Sequence, residues 1–163
     1  MTIEGLNSLD RENFVATIGW VFEHSPWVAE RAWTARPFAS VDALHGAMVE
    51  QVERATSEEQ LALLQAHPDL GTRARVSDVS AAEQAGAGLD HLTKEEFERL
   101  RGLNNAYRDK FGFPFLFVVK GSNKHDILDA LERRVASSRD EEYQVALAQV
   151  YRIARFRLES ILS

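Results

Sequence analysis

Three side chains stand where their types and spacing could do acid–base or anion-binding chemistry: His67, Glu83 and Arg157. His67 closes the apolar run of "LLQAHPDLG", residues 63 to 71. Leu63 and Leu64 favour a helix, and a residue before proline is pushed out of the α region, so the spacing predicts a helix stopping at His67. An imidazole there feels the negative end of the helix dipole, which favours its protonated form by up to about 1 kcal/mol. That suits an acid. The same residues also fit a plain helix terminus followed by a Pro-Asp turn with Gly71. His24, His45, His91 and His125 form neither an HExxH pattern nor a close pair, which argues against a metal site.

"SAAEQAGAGL", residues 80 to 89, has the same double character. Ser80 and Glu83 have capping-box spacing, in which the glutamate satisfies a backbone donor at a helix start. Ser80, Glu83 and Gln84 also offer a hydroxyl, a carboxylate and an amide to a small polar ligand. In the last predicted helix, Tyr143, Leu147, Val150, Ala154, Leu158 and Ile161 define an apolar arc. At ~100° per residue, Arg157 falls only about 40° from the arc's centre, while Arg155 lies to one side and Arg152 opposite. A guanidinium turned toward the core must be paired or face a polar cavity. Glu83 is one candidate partner; a bound anion is the alternative.

The elements that must position these groups are helical. The pattern predicts helices after Ser8 or Asp10, from Pro26 to about Thr34, after Ser40, from the capping box "SEEQ" (57 to 60), and from "TKEE" (93 to 96). The stripe of the "TKEE" helix is Phe97, Leu100, Leu103, Tyr107 and Phe111. Two further helices are expected near 124 to 137 and 140 to 162. Between the "TKEE" helix and these two, "FGFPFLFVVKG" is apolar at nearly every position, and Pro114 bars it from a central ladder. It reads as a buried extended segment. The expectation is a compact all-α single domain over residues 1–163, with one buried extended aromatic segment.

At 163 residues and 45% hydrophobic content the chain can bury one sizeable core. A net charge of -6 with scattered lysines and arginines argues against nucleic-acid or anionic-membrane partners. The absence of cysteine removes disulfides, thiolate nucleophiles and zinc-thiolate sites, and fits a reducing compartment. No apolar run approaches the roughly 18 residues of a membrane span. The first residues carry no basic stretch or apolar core of a secretory signal, and "ILS" is not a peroxisomal tripeptide, so a cytoplasmic protein is expected.

The pieces occur together in one family. The sequence resembles 2-oxo-4-hydroxy-4-carboxy-5-ureidoimidazoline (OHCU) decarboxylase, the third step from urate to allantoin. The matching stretches are "FEHSPWVAERAW" (22 to 33), "AHPDLG" (66 to 71), "SAAEQAGAGL" (80 to 89), "LNNAYRDKFGFPFLFVVKG" (103 to 121) and "YRIARFRL" (151 to 158). Ser137 departs from the asparagine expected after the paired arginines, which bears on local capping. The resemblance implies a compact helical fold, catalysis without a cofactor, and a homodimer acting on a small-molecule substrate. It assigns His67 as the catalytic residue and Glu83 as its polar partner. It also implies substrate contacts from Pro68, Ser80, Gln84, Phe115, Leu116, Phe117, Val118, Val119 and Arg157. Two other readings use the same residues: a lyase or hydrolase of another small ureido acid, and a helical ligand-binding or interaction module in which His, Glu and Arg are structural.

Overall fold

The computed structural model describes residues 1–71 and 78–163, and among them it contains nine α-helices and no strand. They are α1 (Ile3–Asn7), α2 (Arg11–Ile18), α3 (Trp27–Ala32), α4 (Val41–Arg54), α5 (Ser57–Gln65), α6 (Asp78–Gly86), α7 (Lys94–Phe111), α8 (Lys124–Val135) and α9 (Arg139–Ile161). The fold is all-α, as the periodicity predicts.

Helix starts follow side-chain chemistry. Asp10 and Ser40 accept the N–H of the third helical residue in α2 and α4, and Thr93 forms a full capping box with Glu96 at α7. Ser8, the other candidate for the start of α2, instead closes α1, a short helix that the sequence pattern does not predict. The predicted "SEEQ" box is shifted by one residue: Thr56 is the cap, with Glu59 closing the box, and Ser57 is already helical. Likewise, α6 begins at Asp78, so Ser80 lies inside the first turn and is not its cap. At α9 the hydroxyl of Ser138 accepts the Glu141 N–H at 3.3 Å, so the cap does not depend on Ser137.

Contacts within the chain gather into two compact units, Met1–Ala66 with Tyr151–Ser163, and His67–Val150. In the first, α3 packs against α4 around a core that includes Phe14, Ile18, Phe22, Leu44, Met48 and Leu158. In the second, α7 packs against α8, and Tyr107 is surrounded by Phe111, Phe113 and Phe115 at ring-centroid distances of 4.5, 6.0 and 5.5 Å. Gly112, at φ 82°, ends α7 in the left-handed region and hands the chain to the aromatic segment. One member of the predicted α7 stripe is not buried: Phe97, in the first turn of the helix, is 39% exposed, while Leu100, Asn104, Tyr107 and Phe111 are buried.

Candidate active site

Helix α5 ends at Gln65, two residues before His67, and the Ala66 N–H closes it on the Ala62 carbonyl at 2.9 Å. The proline at 68 therefore bars continuation of a helix that has already stopped. His67 is only 5% exposed, so it is an interior residue.

The turn after it is pinned at three successive residues. Arg108 binds the Asp69 carboxylate at 2.9 Å, Asn104 Nδ2 donates to the Leu70 carbonyl at 2.9 Å, and the Gly71 N–H donates to Gln84 Oε1 at 2.9 Å. Leu100, Asn104 and Arg108 recur every four residues, which places them on one face of α7. Gly71 has φ 78°, and a Cβ there would come within 2.4 Å of Leu100 Cδ2. Only glycine fits the site without displacement. Sequence reasoning missed Asn104 and Arg108. The available signal was an asparagine four residues after Leu100, inside an otherwise apolar stripe.

On α6, Ser80 and Gln84 are buried, one helical turn apart, and Glu83 beside them is half-buried. Gln84 thus has a structural duty that the sequence did not reveal: its oxygen holds the turn. A cavity of about 680 Å³ opens beside it, lined by Gly71, Gln84, Ala81, Leu89, Leu92 and Phe97 among others. That volume is in the range of small-ligand sites.

The aromatic segment is buried at Phe115, Leu116, Val118 and Val119, with Phe117 half-buried. Phe115 and Phe117 stack at 5.8 Å with an interplanar angle of 15°, the same-side relationship of residues two apart in an extended chain. Arg134 Nη1 donates to the Leu116 carbonyl at 2.6 Å, and the Val118 N–H donates to Gln149 Oε1 at 2.8 Å. Behind them, buried Glu142 accepts from Arg134 Nε at 2.8 Å and from the Tyr107 hydroxyl at 2.6 Å. Burial, and then the hydrogen bond to Glu142, push the Tyr107 phenol well above its usual range.

Arg157 lies in the first unit, 4% exposed, with Nη2 on Glu23 Oε2 at 2.9 Å and Nη1 on the Val21 carbonyl at 3.3 Å. The helical-face argument holds, since Arg155 sits at the surface with Asp42 and Glu159 while Arg152 is exposed. Arg157 thus pairs with the Glu23 carboxylate, a residue 134 positions away in the chain.

Buried polar groups on a helical scaffold, with an imidazole beside a pinned turn, define the class as an all-α protein whose interior holds a set of polar and ionisable side chains. Residues 7–159 match the family model described as OHCU decarboxylase, and the chain belongs to that family. It is 50% identical over 158 residues to the 2-oxo-4-hydroxy-4-carboxy-5-ureidoimidazoline decarboxylase of Haloferax volcanii, covering 97% of this chain and 94% of that protein. Against the protein of the same name from Halalkalicoccus jeotgali the identity is 48% over 161 residues, with 99% and 92% covered. Among solved structures it resembles (S)-allantoin synthase with a TM-score of 0.80 and 34% identity, over 99% of this chain and 54% of that one.

Proposed function

We propose that this protein is a carboxy-lyase that converts OHCU to (S)-allantoin in urate breakdown. The observation that carries the reading is the family match over residues 7–159, within which His67 sits on a turn fixed at Asp69, Leu70 and Gly71. The match runs through both compact units, which supports treating 1–163 as one domain.

In the proposed reaction the bond from the substrate's carboxylate to its ring carbon breaks and carbon dioxide leaves. The bonding electrons move into the adjacent ring C=N, so the substrate supplies its own electron sink. His67 takes the proton of the substrate hydroxyl or delivers one to the neighbouring carbon, and Glu83 holds imidazole and ureido group in register. Proton delivery from one face then sets the enantiomer. Gln84 keeps its oxygen on Gly71 and turns its NH2 to the ligand, with Pro68 and Ser80 beside it. Backbone groups of 115 to 119 and the Arg157 guanidinium hold carbonyl and anionic oxygens. A homodimer in the cytoplasm completes the proposal.

The test is addition of the purified protein to OHCU generated in situ from urate, followed by circular dichroism. A signal that rises well ahead of the spontaneous reaction is expected. A rise no faster than that background would favour a binding or interaction module.

A further inference from the structure

An extended chain turns the N–H and C=O of alternate residues to opposite edges. The Leu116 carbonyl and Val118 N–H share one edge of the aromatic segment, and Arg134 and Gln149 occupy both. The Phe117 N–H and C=O and the Val119 N–H share the other edge, where no hydrogen bond from a described residue meets them. The Val119 carbonyl is taken by the Ser122 N–H at 3.0 Å, which ends the run.

We propose that Arg134 and Gln149 are positioning residues, which grip the segment by one backbone edge so that the Phe117 and Val119 amides are presented to substrate oxygens on the other. This rests on the decarboxylase reading, in which residues 115 to 119 contact substrate. The grip is itself held. Glu142 fixes Arg134 Nε, Tyr107 fixes Glu142, and the guanidinium lies 4.5 Å over the Phe115 ring. That ring face also explains how Nη2 of Arg134 stays buried with no hydrogen-bond partner among the described residues. Replacing a buried ion pair by apolar groups is often neutral or stabilising, so this one is better accounted for by fixed geometry than by stability. Gln149 contributes the complementary constraint, an acceptor from α9 that sets the register two residues further on.

The experiment uses Gln149, which is only half-buried, so that its variants can fold. Gln149→Met keeps the length and removes the acceptor; Gln149→Glu keeps both. Steady-state constants for OHCU and melting temperatures are measured on both and on the wild type. The expected result is a KM raised about tenfold in Gln149→Met, with kcat much less affected and the melting temperature preserved, and largely restored in Gln149→Glu. Wild-type turnover with an unchanged KM in Gln149→Met would overturn the positioning role and leave the decarboxylase standing. Equal impairment of both variants would also overturn it, since packing and not the acceptor would then matter. A wild type without turnover would overturn the decarboxylase reading, and this inference with it.

Discussion

Arg157 and Glu23 form an ion pair at 2.9 Å in which the two side chains are 4% and 2% exposed. Removing one partner of such a pair takes from the other its buried counter-charge, at a cost of about 3 to 5 kcal/mol. Arg157→Ala should therefore lower the melting temperature strongly. Arg155→Ala, whose partners Asp42 and Glu159 lie at the surface, should cost less than about 1 kcal/mol. Arg157→Lys separates structure from binding, because it keeps the charge but loses the planar fork. A raised KM in Arg157→Lys with a near-normal melting temperature supports the substrate role. A lost melting temperature with an unchanged KM for the residual activity leaves Arg157 as a structural group only.

His67→Asn should nearly abolish turnover if the imidazole transfers protons. The residue is buried and makes contacts of its own, so a stability loss of about 1 to 3 kcal/mol is expected alongside. Circular dichroism and single-turnover rates on the same preparation distinguish the two effects. A folded variant within tenfold of wild-type rate would reduce His67 to a packing residue.

Gly71→Ala tests whether the turn positions the imidazole. The substitution forces a Cβ onto Leu100 at a positive φ, and a loss of about 1 to 3 kcal/mol or more follows from backbone and steric strain together. Turnover should fall further than stability alone would dictate, because Asp69, Leu70 and Gly71 are fixed as one unit. Activity unaffected in a folded Gly71→Ala protein would disconnect the turn from the chemistry.

Acid stability should depend on Glu96. The Lys124 ammonium at 2.7 Å, and then the Thr93 backbone N–H, hold its carboxyl at about 2, below the usual value of 4.5. A depressed acid stabilises the fold when ionised, so this contribution is complete above about 4.5 and disappears as the pH falls toward 2. Urea denaturation of wild type and Glu96→Gln across that window should show a gap that is widest near neutrality and closes in acid. A gap independent of pH would contradict the assignment.

Local chemistry was legible in the sequence, and long-range pairing was not. Ser40 and Thr93 announce their helices because a cap and the backbone N–H it accepts lie within four residues. Arg157 could be turned inward by counting at 100° per residue, yet its partner Glu23 is 134 residues away and no periodicity reaches it. The same limit concealed the duty of Gln84, whose acceptor role depends on how Gly71 returns to α6. Ser80 misled for a different reason: S-x-x-E spacing occurs inside a helix as readily as at its start, and α6 had already begun at Asp78. Phe97 followed the apolar stripe in type but not in burial: it stands in the first turn of α7, where it is 39% exposed.

The bond from Tyr107 to Glu142 gives this protein an internal optical clock. A phenol raised so far by burial stabilises the fold while protonated, and that contribution is lost only as the pH climbs above the ordinary tyrosine value of 10. The ring is fully buried, so its ionisation is expected to accompany opening of the second unit's aromatic core. After a jump to alkaline pH, the tyrosinate absorbance of this one ring should grow at the rate at which that core opens, timing its unfolding without an added dye or label.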